Sequence, residues 1–470
     1  MMTPNILLIM ADQLRYDCVG FAGMSPVATP NIDRLAAEGM SFATAFSPIP
    51  VCGPARQSLV CGRRAETFGG LWNAGIAWKV STLAPSAYSW ARTLQEHGYR
   101  SGYVGKWDVH PTLDPTHYGY DEFVDSRKLY AEALRAQYPD VEYTGGYLGE
   151  VDPLPLEDTL SHRTSSEAGK LLQRLAASGG PWQLRVNFDE PHLPCRPTAE
   201  FAKLYDARQI APWGSFAETF AGKPYIQAQQ LHSWGIEDYG WEEWAPIVAR
   251  YFAVISQLDD AIGRLLKQLD DLGLRENTLV VFTSDHGDLC GGHRMMDKHY
   301  VMYEDVIRVP MVMRWPGVIR AGSQTEELVY NLLDLPPTLL QACGLANPED
   351  CRFHGQSLVP LWKTGSKEQA GGYISREEIV CTYNGQQFGL FTQRMIRTRE
   401  WKYVWNLTDV DELYDLRNDP HELNNQIGVQ GHRELIAGLR RRLYEILKQD
   451  EDPIVANQWM QRQLLEGRKL

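Results

Sequence analysis

Over roughly the first 360 residues, short apolar runs of strand length alternate with longer amphipathic stretches. That alternation restricts the chain to a sheet whose strands are joined by helices, an α/β protein. "NILLIM" at 5–10 is a buried strand. "TPNIDRLAAEG" predicts a helix with Thr29 as N-cap, Pro30 at its first position and Gly39 past its end. "SAYSWARTLQEHG" predicts a second helix, followed by the strand "SGYVG". "WQLRVNF" is another strand, and "AVISQLDDAIGRLLKQLDDLG" is a long amphipathic helix feeding the strand "TLVVFTS". Between 195 and 250 the pattern loosens into an insertion carrying Trp213, Trp234, Trp241 and Trp244. Such an insertion either shapes a substrate pocket or plugs a lid onto the core.

A polar, Gly-rich stretch at 364–372 reads as a linker. It divides a large domain, 1–365, from a smaller one, 366–470. In the latter, "MIRTREWKYVWN" and "ELYDLRNDPHELNN" predict an antiparallel hairpin or meander, and 432–448 a basic amphipathic helix. The tail "EDPIVANQWMQRQLLEGRKL" offers a surface to a second copy of the chain, with nothing in it diagnostic of a homo-oligomer.

At 470 residues the chain is long enough for two unequal domains, and with 44% hydrophobic and 22% charged residues it is an ordinary globular protein. No apolar run approaches the ~18 residues of a membrane span. "NILLIM" has neither a basic segment before it nor a small-residue cleavage site after it, so the expectation is a cytoplasmic protein with no membrane partner. A net charge of −13 without a basic stripe argues against nucleic acid. It also disfavours long-range steering of a highly sulfated polyanion, though local basic residues can bind one anionic group. The eight cysteines form no C-x-x-C pair and read as buried thiols rather than a disulfide framework. Cys61 in particular reads as a core thiol.

In open α/β sheets the ligand site lies beyond the carboxyl ends of the strands. Here Asp12 and Gln13 follow "NILLIM", and Lys106, Asp108 and His110 follow "SGYVG". Asp189, Glu190 and His192 follow "WQLRVNF", and Asp285, His286 and Asp288 follow "TLVVFTS". Any one of these is readily a helix cap, but four strands ending in such side chains make a site. Asp12, Gln13, Asp285 and His286 form a mostly oxygen donor set that suits Ca²⁺ or Mg²⁺ better than zinc. Glu190 is placed to orient His192 or to face solvent.

"VCGPARQSLVCGRR" at 51–64 puts Cys52 at the start of a short helix. Free backbone N–H groups there favour an anion, and Arg56 stands one turn along. A disulfide, a metal ligand, a packed thiol and a converted nucleophile remain open on these residues alone.

Cys52-Gly53-Pro54-Ala55-Arg56 resembles the C-x-P-x-R signature of the type I sulfatases, within the alkaline-phosphatase-like superfamily. The resemblance extends over nearly the whole chain, through "NILLIMADQ", "TPNIDRLAAEGMSF", "GYVGKW", "EPHLP", "TSDHGD", "DKHYVMYEDVIRVP", "RWPG" and "RTREWKYV…LYDLRNDPHELNN". It implies a large mixed, mostly parallel sheet flanked by helices, with a smaller C-terminal α+β subdomain containing an antiparallel sheet. It implies that Cys52 becomes formylglycine, through a formylglycine-generating enzyme, and that the aldehyde hydrate is the nucleophile. The implied metal ligands are Asp12, Gln13, Asp285, His286 and the converted Cys52. The ion is usually Ca²⁺, with Mg²⁺ or Mn²⁺ as alternatives. Arg56 would hold the hydrate; Lys106, His192 and Lys298 would surround the sulfate and the leaving group. Asn73 would contact the sulfate, and His299, beside Lys298, the substrate. The implied substrate is a small-molecule or oligosaccharide sulfate ester.

Two departures matter. The family usually has G-K-W-H where this chain has "GKWDVH", so that His110, Asp108 or neither takes over the histidine's proton-abstracting role. "CGPAR" and Gln13 resemble the phosphonate monoester hydrolases, whereas Lys106 does not, which leaves that activity as the alternative to a sulfatase. A glycan-binding protein that has lost turnover is a third reading, resting on Asp108 alone.

Overall fold

Strand β1 (Asn5–Asp12) lies in the middle of a large sheet and is buried along its whole length. The computed structural model describes residues 3–76, 78–348, 351–363 and 372–469. Further along come β2 (Met40–Phe42), β3 (Ala45–Phe46), β4 (Arg100–Gly105), β5 (Glu122–Val124) and β6 (Trp182–Pro191). They are followed by β7 (Thr278–Ser284), β8 (Met311–Arg314), β9 (Ser323–Thr325) and β10 (Val329–Tyr330). The large sheet runs β5-β4-β6-β1-β7-β8-β2-β9, while β3 and β10 pair separately. Every pairing in it is parallel except the two made by β8. This is the mixed, mostly parallel α/β sheet expected.

Side chains alternate across β1. Ile6, Leu8 and Met10 enter one core, and Leu7, Ile9 and Ala11 the other. Helices Pro30–Glu38, Leu160–Ala176 and Trp241–Asp271 cover the second core, and helices Cys52–Cys61, Trp90–Glu96 and Leu335–Ala342 the first. A strand buried on both faces must be apolar throughout, which is why "NILLIM" shows no polar alternation. Each fully buried leucine or isoleucine there contributes about 1.5–3 kcal/mol. Strands β4, β6, β1 and β7 are contiguous and parallel, so their carboxyl ends lie side by side.

The C-terminal unit is a four-stranded antiparallel meander: β11 (Ile379–Gly385), β12 (Phe391–Arg397), β13 (Trp401–Asn406) and β14 (Glu412–Asp415). One face packs against Ile436, Leu439, Leu443 and Leu447 of helix Arg433–Gln449. From the other face, Ile379, Cys381, Tyr383 and Met395 join the core beneath the large sheet. The stretch expected to link the two units lies, apart from Gly372, outside the described residues.

Three local expectations change. Thr29 does not cap its helix with its side chain; its hydroxyl accepts from Gly20 N–H at 2.7 Å and donates to Asp33 at 2.9 Å. The cap comes from across the fold, where Asp259 accepts from the N–H groups of Asn31 and Ile32 at 3.1 and 2.8 Å. The long helix begins at Trp241, well before the apolar pattern starts at Ala253, because Glu243 closes back on Gly240 N–H at 2.9 Å. Pro246, inside its second turn, hides that start from the sequence. The insertion is also more ordered than a loop, containing helix Tyr225–Trp234. Trp244 is fully buried, Trp213 donates to Cys290 O at 2.9 Å and Trp241 to Ile210 O at 2.8 Å. These three pack the insertion onto the core, the blander of its two readings. The eight cysteines are all free, Cys61 among the buried ones. Among the described residues no helix is long and apolar enough to cross a membrane.

Candidate active site

Helix Cys52–Cys61 leaves an extended Val51 and ends at Gly62, whose φ of +68° suits glycine. Pro54 falls within the first turn, where its missing N–H removes no helical bond. All ten residues are buried, so the helix has no solvent-facing side. Its first residue, Cys52, therefore meets the ends of β1 and β7 at the bottom of the site.

There the donor atoms converge. Cys52 Sγ lies 3.7 Å from Asp12 Oδ1 and 3.2 Å from His286 Nε2. His286 Nε2 is 3.8 Å from Asp12 Oδ1 and 3.7 Å from Asp285 Oδ1. The second oxygens of both carboxylates turn to Arg56, at 3.2 Å from Asp12 and 2.9 Å from Asp285. His286 Nδ1 is 2.9 Å from Gly287 O, which can only accept, so Nδ1 carries a hydrogen and Nε2 is the nitrogen that faces the convergence point. Asp12, Cys52, Asp285 and His286 thus offer four ligand atoms within 4.8 Å of one another, all buried. Two carboxylate oxygens, one imidazole and a group at position 52 fit a hard divalent cation.

Gln13, at φ +69°, is placed differently from the other expected ligands. Its N–H donates to Asp285 Oδ1 at 3.1 Å, but its carboxamide oxygen accepts from Lys298 at 2.7 Å and its NH₂ donates to Asp297 at 3.0 Å.

Three cations face the carboxylates. Arg56 also donates to Lys106 O at 3.0 Å. Lys106 pairs with Asp12 and stands 3.3 Å from Asp108. Lys298 is 3.1 Å from His192 Nε2. Burial pushes the Asp12 carboxyl up, but Lys106, with His192 and Arg56, holds it well below the usual carboxylate range. Asp285 is shifted the other way, raised by burial and by the charge of Asp12. Burial and Asp12 also push the Cys52 thiol up, yet Lys106, Lys298 and His286 hold it well below an ordinary thiol. Burial pulls His286 down, but Asp285 lifts it to about 9. A cation bound at the convergence point would displace that proton.

The remaining expected residues divide into two groups. His192 and His299 reach the site's polar network. His192 Nδ1 donates to Leu193 O at 2.6 Å, so its orienting partner is a backbone carbonyl rather than Glu190. His299 lies 2.9 Å from Asp297 and 3.1 Å from Tyr383. Asn73 accepts from Gly53 N–H at 2.7 Å, bracing the turn after the nucleophile position. His110 stands further out, where its Nδ1 accepts from the N–H of Leu113 and Thr112 at 3.0 and 3.2 Å. It is Asp108 that touches Lys106.

Sequence reasoning missed Asp297 and Arg127. Asp297 is buried and joins Gln13, Lys298 and His299; its position directly before Lys298 was the available signal. Arg127, on helix Ser126–Gln137, pairs with Asp108 at 3.3 Å and with Asp189. Nothing local marks it, since a basic residue on a half-exposed helix is ordinary.

A buried cysteine at a helix start, set among carboxylates and cations at the ends of parallel strands, defines an anion-processing hydrolase centre. The chain belongs to the sulfatase family, whose domain model matches residues 4–345. The model for the C-terminal region of N-sulphoglucosamine sulphohydrolase matches residues 291–449. Human iduronate 2-sulfatase is 32% identical, covering 90% of each chain. The uncharacterized sulfatase YidJ of Escherichia coli is 30% identical, covering 98% of this chain and 90% of its own. Among solved structures, the phosphonate monoester hydrolase of Agrobacterium radiobacter superposes with a TM-score of 0.81 at 26% identity, covering 95% of this chain and 96% of its own. This protein is a sulfuric ester hydrolase with the alkaline-phosphatase-like sulfatase fold.

Proposed function

We propose that the protein cleaves the sulfate ester of a carbohydrate or small organic alcohol, using Cys52 after its conversion to formylglycine by a formylglycine-generating enzyme. The observation that carries this reading is the convergence of Cys52, Asp12, Asp285 and His286 within 4.8 Å, with Arg56, Lys106 and Lys298 around it. Asp12, Asp285, His286 and the group at position 52 would hold a divalent cation, Ca²⁺ in the first instance and Mg²⁺ or Mn²⁺ as alternatives. Gln13 is a further candidate ligand beside Asp285. A bound cation supplies Lewis-acid activation of a hydroxyl. The aldehyde supplies, as its hydrate, one hydroxyl to attack sulfur and a second whose deprotonation releases sulfate.

The chain's own residues do the rest. Arg56 fixes both carboxylates by their Oδ2 oxygens, so that both Oδ1 oxygens face the convergence point. Lys106 and Lys298 place two ammonium groups where sulfate oxygens gather charge. His192, its Nδ1–H held by Leu193 O, keeps Nε2 beside the Lys298 ammonium, from which it can relay a proton to the departing alcohol oxygen.

The mass of the Cys52 peptide from natively produced protein tests the conversion, and sulfate release by the Cys52→Ala variant tests the role. An unconverted thiol, or undiminished turnover by that variant, sinks the reading. A phosphonate monoester or phosphodiester hydrolase would use the same centre, and the likeness to the Agrobacterium enzyme favours asking. Relative kcat/KM on matched sulfate and phosphonate esters decides between them.

A further inference from the structure

A cavity of about 470 Å³ opens over the site, lined in part by Asn73, Asp108, His110, Asp114, Asp125 and Arg127. It abuts the reacting centre: Asn73 holds Gly53, next to the nucleophile position, and Asp108 touches Lys106. The alcohol portion of a sulfate ester bound at Cys52 would therefore enter this space. Its volume is that of an ordinary small-ligand pocket, on the order of 300–1,000 Å³.

The charges lining it are unusual for an enzyme of anions. Asp108, Asp114 and Asp125 are carboxylates, and Arg127 is the one permanent cation among the lining residues. Arg127 is already paired twice, with Asp108 and with Asp189. Asp114 and Asp125 have no cationic partner among their hydrogen bonds that matches this. Asp114 accepts from Thr116, with His117 3.3 Å away, and Asp125 accepts from Lys128 N–H at 3.0 Å. Burial and the neighbouring His117 lower His110 from its ordinary value. A second cavity on the far side of Arg127 is of mixed charge, lined by Asp152 and Asp189 together with Arg196. Arg56, Lys106 and Lys298 thus stand at the sulfate end, each against a buried carboxylate, whereas in the cavity at the alcohol end carboxylates outnumber cations.

We propose that the substrate is a singly sulfated compound whose alcohol portion is neutral or carries an amine, and that Asp108, Asp114 and Asp125 discriminate against a second anionic group. This rests on the sulfate-ester reading above and specifies its substrate class. Like charges placed against a competing ligand are a standard source of specificity. Carboxylates also accept well from sugar hydroxyls and from ammonium groups.

The test uses full-length Cys52→Ala protein, so that binding is read apart from turnover. Calorimetry compares one hexose sulfate ester in four forms: neutral, with a free amine, with a carboxylate, and with a second sulfate. The neutral and amine forms should bind about tenfold or more tightly than the two dianionic forms, with the gap narrowing as salt screens the cavity. In Asp114→Asn/Asp125→Asn the gap should shrink severalfold, because asparagine keeps the acceptor oxygens that hold Thr116 and Lys128 N–H. Equal or tighter binding of the dianionic esters, an unchanged gap in the double variant, or no binding of any form overturns the proposal. Turnover of the same esters by converted enzyme separates the two readings. Hydrolysis without charge preference defeats only this inference, whereas absence of hydrolysis from every form defeats the sulfate-ester reading.

Discussion

Arg56 bridges Asp12 and Asp285 at 3.2 and 2.9 Å, and all three side chains are completely buried. The guanidinium serves both carboxylates because its planar fork presents several N–H groups at fixed angles, which an ammonium cannot do. Removing it leaves two carboxylates without their shared partner. In metal-free protein, Arg56→Ala should cost about 3–5 kcal/mol of unfolding free energy, the scale for breaking a buried ion pair. Arg56→Lys should recover only part of it. Urea unfolding of the variants in chelator measures both, and the loss should be smaller with divalent cation added, since the ion neutralises the same carboxylates.

The contacts of Asp108, rather than chain position, favour it over His110 for the place of the usual histidine. Asp108 lies 3.3 Å from Lys106 and 3.3 Å from Arg127, whereas His110 uses Nδ1 on the backbone N–H of Leu113 and Thr112. Asp108→Asn should therefore lower kcat/KM by roughly tenfold or more, the size expected when a charged partner of a catalytic group is removed. His110→Asn should change it by no more than about threefold, in line with an outlying contact. The opposite ranking in steady-state kinetics would return the role to His110.

Cation removal follows from the donor set. Chelation should abolish sulfate release and lower the melting temperature, because an ion that binds only the folded state stabilises it by mass action, about 2.7 kcal/mol at a hundredfold excess over Kd. Adding Ca²⁺, Mg²⁺ and Mn²⁺ back singly identifies the ion by which restores both signals. Asp285→Asn should weaken the response to every ion and move the midpoint of the titration, not merely its amplitude.

Much of this arrangement is legible in the sequence because it sits where strands end. Asp12, Lys106, His192 and Asp285 each follow an apolar run, and parallel pairing of β4, β6, β1 and β7 brings those ends together. What stays hidden is carried by long-range pairing or by irregular backbone. Asp297 at φ +69° and Gln13 at φ +69° lie in left-handed turns that no periodicity announces. Arg127 matters only because its helix packs beside two strand ends. The start of the long helix at Trp241 is masked by Pro246, and the cap on Asn31 and Ile32 comes from Asp259, more than two hundred residues away.

That remote cap has a pH signature. Asp259 is 1% exposed, and burial pushes its carboxyl from 3.8 up to about 6, against the pull of the Ile32 and Asn31 N–H groups. A carboxyl whose folded pKa is raised favours folding most when it is protonated. Its contribution is therefore fully present below about pH 4 and is lost as the pH rises through about 6, a swing of roughly 3 kcal/mol for a shift of this size. Asp259→Asn cannot ionise and should be flat across that window, while still offering one acceptor oxygen to the helix start. The difference in unfolding free energy between wild type and Asp259→Asn, measured by urea titration from pH 4 to pH 8, should shift in favour of the variant as the pH rises and level off above about pH 7. A difference that does not move with pH would mean that the Asn31 and Ile32 amides compensate the buried charge in full.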